Sequence, residues 1–426
     1  MKTTELKKAL ATGGLDGRLS EIYGAQALAG QKARYLRAVE EFEALYGRDR
    51  EAALYSVAGR SELSGNHTDH NHGCVVAASI DLDIIAVASA SAGSVIRVKS
   101  EGFPEDAVDF DAYSAPDPAR YEKSASLIAG MVAGFRKEGL QVGGFDAYTT
   151  SNVLKGSGIS SSAAFEDMIG NILNYEYNGG RISNVEIAKL AQYAENRFFG
   201  KPCGLMDQMA CAVGGIIAID FRDPAAPVIE KTDFDLSAAG YNLCIVNTGG
   251  NHADLTGDYA SVPAEMKSVA AYFGREVLRD VDEQAVIDAI PALREKVGDR
   301  AILRALHFFA ENRRVAAQKQ ALQAGDLDTF LANVIASGRS SFCYLQNVYT
   351  TKNVAEQGLS LALCLAERVL SGKRAAWRVH GGGFAGTIQA FVPAEAVPEF
   401  RAVMDAAFGE GRCMVLRVRP EGALRV

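Results

Sequence analysis

No pair of cysteines in this chain forms a C-x-x-C motif, and the seven present, Cys74, Cys203, Cys211, Cys244, Cys343, Cys364 and Cys413, are odd in number and scattered. That excludes a disulfide scaffold or a zinc ribbon as the organising device and leaves reduced thiols in a cytoplasmic protein as the simplest account. Long apolar runs are missing too. Asp81 and Asp83 interrupt the best of them, Cys74 to Ile96, and Met1 to Gly14 lacks the apolar core of a signal peptide, so no membrane association is expected. Lys and Arg never cluster with aromatics, and a formal net charge of −8 opposes binding to a nucleic-acid backbone. There is no internal repeat, no low-complexity linker and no sign of an obligate protein partner. What is present is ample core material: 48% hydrophobic residues over 426 positions, enough for two or three domains.

The stretch around which the chain is organised runs from Val153 to Glu166, VLKGSGISSSAAFE. Gly156 and Gly158 open backbone angles closed to other residues, Ser160, Ser161 and Ser162 supply hydroxyls, and an apolar helical pattern follows at once. A turn that aims successive N–H groups at one point and feeds a helix N-terminus, worth roughly +0.5 charge, binds phosphate. Phe165, Met168, Ile169, Ile172 and Leu173 share one helical face; Ser162 and Glu166, four apart, share another and could hold Mg²⁺ beside the phosphates. A dinucleotide fingerprint would need glycine where Ser161 stands, a Walker loop would need Gly-Lys-Ser/Thr, and no G-x-S-x-G elbow is present. The alternative is a Gly/Ser turn that only caps a core helix.

Three of the six histidines, His67, His70 and His72, fall in the polar loop Ser61 to Gly73 between two strand-like runs. Zinc is one reading, with His67, Asp69, His70 and His72 as donors, and a solvated turn is another. The third is a hydrogen-bonding surface for a polyhydroxylated ligand, with Arg60 balancing charge.

Helix-like spacing covers residues 18 to 47, followed by the strand-like runs SVAGR, CVVAASIDLD, IIAVASA and SVIRVKS. Ser183 and Glu186 form a capping box opening a helix to about Phe199. Asp207 then sits just inside an apolar segment, either capped and structural or functional, and IIAID and YNLCIVN read as strands. From Pro263 to Leu370 the spacing is almost continuously helical. The end, AAWRVHGGGFAG, TIQAFVP, a helix from Ala394 to Phe408 and MVLRVRP, has the β-turn-β-α-β order of a helix-backed sheet, so the chain is read as α+β instead of doubly wound.

Four ordered stretches carry a family resemblance. GRSELSGNHTDHNHG resembles the galactokinase signature GRxNxIGEHTDYNxG, VLKGSGISSSAAFE the nucleotide loop PxGxGLSSSAA of the GHMP small-molecule kinases, PCGLMDQMA the segment CGxMDQ, and VHGGGFAGTIQAFV the third glycine motif. The resemblance implies a two-lobed GHMP kinase fold, with a ribosomal S5 domain 2-like lobe over 1–235 and a ferredoxin-like α/β sandwich with a helical layer over 236–426. It implies an ATP- and Mg²⁺-dependent kinase acting on the anomeric hydroxyl of a sugar, most simply galactose. Asp207 would be the catalytic carboxylate and Arg60 its charge partner. Asn66, His67, Asp69, Gly204, Asp207 and Tyr259 would bind sugar. Gly156, Ser157, Gly158, Ser160, Ser161 and Ser162 would bind ATP phosphates, and Ser162 with Glu166 the metal. Gly382, Gly383 and Phe384 would buttress the loop.

The departures bear on the sugar. Asn66 replaces the family glutamate, so an amide would face a hydroxyl that a carboxylate usually accepts from, at a difference of roughly 1.5–3 kcal/mol. His70 replaces tyrosine, and Ser61, Glu62 and Ser64 also depart. These keep open a kinase for N-acetylgalactosamine, arabinose or a uronic acid, a sugar- and ATP-binding regulator without turnover, and a zinc hydrolase built on the histidine cluster.

Overall fold

The fold is taken from a computed structural model that describes residues 1–153, 159–201, 203–250 and 255–426. Its strands, in chain order among the described residues, are β1 (Ala53–Ser64), β2 (Cys74–Ser91), β3 (Val95–Ser100), β4 (Glu105–Asp109), β5 (Gly144–Ser151), β6 (Ile216–Asp220), β7 (Val228–Thr232), β8 (Tyr241–Asn247), β9 (Ala376–His380), β10 (Thr387–Pro393), β11 (Cys413–Leu416) and β12 (Ala423–Arg425). They build two sheets. The larger has order β12-β1-β2-β5-β3-β4, with β6 pairing β2 and β7 pairing β6; the smaller has order β11-β8-β10-β9. This is the expected α+β architecture, with one difference at its end: the chain returns to the first sheet, where Tyr55 pairs with Arg425 and Val57 with Ala423.

The two apolar runs read from the sequence as separate strands are the single strand β2. Its interior Asp83 does not break it, because Arg34 (2.5 Å) and Arg419 (3.1 Å) pair with the carboxylate and Tyr23 and Ser56 donate to it. Burial pushes the Asp83 carboxyl up, but the two guanidinium charges outweigh it and hold it below the ordinary value. A strand with cores on both faces loses the alternation that sequence reading relies on. In β1, Ala53, Tyr55 and Val57 pack into the core under the helices Ser124–Lys137, Ser161–Tyr177 and Asn184–Ala194, while Leu54 joins Tyr35 and Phe42 of the N-terminal helix Leu28–Tyr46. Fully burying each such side chain contributes roughly 1.5–3 kcal/mol.

The capping box is present: Ser183 Oγ accepts from the Glu186 N–H and Glu186 accepts from the Ser183 N–H. The helix it opens ends at Ala194 and passes into a π-helical turn, Glu195–Phe199, of the kind that often marks a functional site. The helical layer is also observed, as Thr256–Tyr272, the long helix Asp299–Ala324 and Leu327–Ser340, packed beside the loop that follows β1. No helix among the described residues is long and apolar enough to cross a membrane.

Candidate active site

β1 delivers Arg60 to the centre of the molecule. A register shift at Ala58/Gly59 kinks the strand there, and a Cβ on Gly59 would meet the Ile159 carbonyl at 3.1 Å, so glycine lets the phosphate-loop segment lie against the strand. The Arg60 N–H then donates to that carbonyl at 3.2 Å. From the other side comes the helix Met206–Val213, with Asp207 in its first turn, where the helix dipole favours an anion. Arg60 Nε lies 2.8 Å and its terminal nitrogen 2.7 Å from Asp207 Oδ1, while Ser160 Oγ donates to Oδ2 at 2.5 Å. Burial pushes the Asp207 carboxyl up; the Arg60 charge and hydrogen bonds outweigh it, and the group stays ionised below the ordinary range. Ser160 holds this contact in a left-handed conformation, φ +59°, a local strain of the sort found at functional sites.

Beside this pair, Asp69 approaches Gly204 so closely that a Cβ there would sit 2.5 Å from Asp69 Oδ2. Burial, and then the charge of Glu62, push the Asp69 carboxyl up to about 6. His67 and Tyr259 both meet the third glycine turn, His67 Nε2 lying 2.9 Å from the Gly382 carbonyl and Tyr259 donating to that of Gly383 at 3.0 Å. Burial raises the Tyr259 phenol to about 12, so it stays protonated.

Asn66 does not face a ligand. Its side chain is fully buried and its hydrogen-bonding capacity is filled by the protein: Nδ2 donates to Glu62 (3.2 Å) and the Gly381 carbonyl (2.6 Å), and Oδ1 accepts from Asn347 (2.8 Å) and Ser341 (3.2 Å). The expectation that Asn66 binds sugar is therefore corrected. It braces the glycine turn instead.

The two residues expected to hold the metal, Ser162 and Glu166, both lie near a third side chain, Glu195. Ser162 Oγ donates to Glu195 Oε1 at 3.3 Å, and Gln208 Nε2 donates to Glu166 at 3.2 Å and to Glu195 at 2.7 Å. Burial, then the neighbouring Glu195 charge, drive the Glu166 carboxyl well above its ordinary value, and its Oε1 has no partner among the described residues. Glu195 escaped sequence reading because it lies 12 residues before Asp207, in a turn with no local motif; its one signal was the end of a well-capped helix. Among the ATP-loop residues, Ser161 and Ser162 open the helix Ser161–Tyr177, whereas Gly156, Ser157 and Gly158 lie outside the described residues. Among the described residues, no three His, Cys, Asp or Glu side chains converge as a metal site, and His67 Nδ1 lies 3.2 Å from His70 Nε2. A groove of about 620 Å³ lined by Gly134, Lys137, Arg181 and Tyr193 contains none of these groups.

The N-terminus of the helix Ser161–Tyr177, an ionised Asp-Arg pair beside it and a glycine turn after β9 define a small-molecule kinase of the GHMP class. The family model for the GHMP kinase N-terminal domain matches residues 126–215, and that for the galactokinase galactose-binding signature matches residues 40–90. A galactokinase of Streptomyces coelicolor is 31% identical over 384 residues, covering 89% of this chain and 94% of its own length. One from Actinobacillus pleuropneumoniae is 32% identical over 371 residues, 86% and 92% of the two chains. The chain belongs to the galactokinase family, which makes ATP the phosphoryl donor. In fold, it matches the crystal structure of Lactococcus lactis galactokinase complexed with galactose with a TM-score of 0.76 at 24% identity, over 92% of this chain and 100% of that one. The Methanococcus jannaschii mevalonate kinase matches with a TM-score of 0.61 at 13% identity, over 86% and 98%.

Proposed function

We propose that the chain transfers the γ-phosphoryl group of ATP to the anomeric (C1) hydroxyl of galactose, giving galactose 1-phosphate and ADP. The observation that carries this is the Arg60–Asp207–Ser160 contact, an ionised carboxylate held between a buried guanidinium and the first serine of the helix N-terminus. The C1 oxygen attacks the γ-phosphorus in line as the bond to the β-phosphate oxygen breaks, and the hydroxyl proton passes to Asp207 Oδ. A carboxylate of lowered pKa is a weak base, which suits a loose phosphoryl transition state that draws little on its nucleophile. Asp207 therefore chiefly orients the hydroxyl, and Arg60 offsets negative charge gathering at the γ-phosphoryl oxygens.

Asp69 accepts from ring hydroxyls, His67 and Tyr259 line the sugar, and the Gly204 backbone meets it closely. The lobes divide as 1–235 and 236–426, with β12 returning across the boundary. The donor set Ser162 and Glu195, with the orphaned Glu166 Oε1 near Gln208, fits a divalent cation such as Mg²⁺. Such an ion, when bound, supplies charge neutralisation at the β- and γ-phosphates. Glu195 is held ready by Lys201 at 2.9 Å and by Gln208.

The test is ADP release with Mg-ATP against galactose, glucose, N-acetylgalactosamine, arabinose and glucuronate, with the product identified by mass. Galactose turnover is expected, and Asp207→Asn should lose roughly 10²–10⁴-fold in kcat while still binding both substrates. Normal turnover by Asp207→Asn would overturn its role, preference for another sugar would reassign the substrate, and ligand binding without wild-type turnover would indicate a regulator.

A further inference from the structure

The proposed sugar loop contains a hydrogen-bonded chain that the phosphoryl-transfer chemistry leaves unused. His67 Nδ1 lies 3.2 Å from His70 Nε2, His67 Nε2 lies 2.9 Å from the Gly382 carbonyl, and His70 Nδ1 lies 3.1 Å from Asn71 Nδ2. Both ends of the chain are fixed by backbone groups that have only one role. Asn71 Oδ1 accepts from the Leu278 N–H at 3.1 Å, so its amide nitrogen must face His70 as donor. His70 Nδ1 is then the acceptor, and the His70 proton sits on Nε2, where it donates to His67 Nδ1. The His67 proton is left on Nε2, where a carbonyl oxygen receives it. One pattern of protons satisfies every link, and a second proton on either ring would set N–H against N–H.

Burial pushes both imidazoles below their ordinary value, consistent with two neutral rings. The charges facing them divide. Glu62 opposes the shift at His67, Arg304 and Arg378 reinforce it, and at His70 the neighbours are His67 and Lys267. The relay starts in the short helical turn Leu278–Asp280 of the C-terminal layer, passes through the loop after β1 and ends at the third glycine turn.

We propose that His70 is a positioning residue that locks His67 in the Nε2–H tautomer, so that His67 clamps the Gly382 carbonyl and fixes the proposed sugar loop against the third glycine turn. The consequence for sugar binding rests on the sugar-kinase reading above. Without the lock, His67 divides between tautomers, and the Nδ1–H form turns a lone pair toward the Gly382 carbonyl.

The first measurement is ¹⁵N–¹H correlation of the ring nitrogens in histidine-labelled apo protein, with and without His70→Phe. Wild-type His67 should give a neutral Nε2–H signature that persists below the pH at which an ordinary imidazole titrates, and His70→Phe should mix the tautomers. The second is a comparison of sugar and ATP KM values in His70→Phe and His70→Gln, where Gln supplies an N–H donor again. His70→Phe should raise the sugar KM by roughly tenfold, about one hydrogen bond at 1.4 kcal/mol per decade, with the ATP KM unchanged, and His70→Gln should restore most of it. A wild-type His67 that shows Nδ1–H, or that titrates as a free imidazole, overturns the proposal whether or not the enzyme turns over. Equal KM changes in Phe and Gln variants overturn it too, whereas a wild type inert toward every sugar counts against the kinase reading alone.

Discussion

Asp69→Asn removes a carboxylate that the fold holds at some cost. Burial and the nearby Glu62 charge move this group from the ordinary value of 3.8 to about 6, so the folded protein keeps its proton where the unfolded chain has released it. Stability therefore falls as pH rises from 3.8 to about 6 and stays reduced above that, by at most about 3 kcal/mol. Asparagine carries no such penalty. The variant should be as stable as wild type in acid and progressively more stable toward neutral pH, with the gap complete above about pH 6. Urea unfolding of both proteins between about pH 4 and 7 reads this directly. The same substitution should raise the sugar KM by roughly 10–100-fold, through loss of a charge-assisted hydrogen bond of about 1.5–3 kcal/mol. A stability gap that is independent of pH, or that has the opposite sign, would refute the account of Asp69 as a strained acceptor.

Asn66→Glu turns two donor contacts, to Glu62 and the Gly381 carbonyl, into acceptor–acceptor contacts in a fully buried position. A loss of about 3–5 kcal/mol is expected in denaturant unfolding, partly recovered by adding Glu62→Gln, and an unaltered midpoint would contradict the bracing role. Glu195→Gln should raise the Mg²⁺ concentration for half-maximal rate by roughly tenfold or more, and Glu166→Gln by less; the reverse order in a Mg²⁺ titration would restore the Ser162–Glu166 pair. Gly204→Ala puts a methyl group 2.5 Å from Asp69 Oδ2, so steady-state kinetics should show a raised sugar KM and an unchanged ATP KM.

The local chemistry of this protein is legible in its sequence wherever a residue type has few uses. Glycines and serines ahead of an apolar helix, a capping box at Ser183 and Glu186, and a polar loop crowded with histidine each announce a backbone geometry or a ligand class, because backbone freedom and hydrogen-bonding capacity belong to the residue itself. The α+β class follows from the order of periodic segments. Tertiary structure alone decided which polar groups remain available. Asn66 and Asp69 look alike as loop residues, yet one is saturated by Glu62, Gly381, Ser341 and Asn347 while the other meets the bare backbone of Gly204. Glu195 and Ser162, 33 positions apart, meet only because a π-helical turn brings the end of one helix to the start of another. The joining of β2 across Asp83 likewise depends on Arg34 and Arg419, both far from Asp83 in sequence. Hydrogen bonding and charge pairing are settled by neighbours in space, and sequence separation carries no record of them.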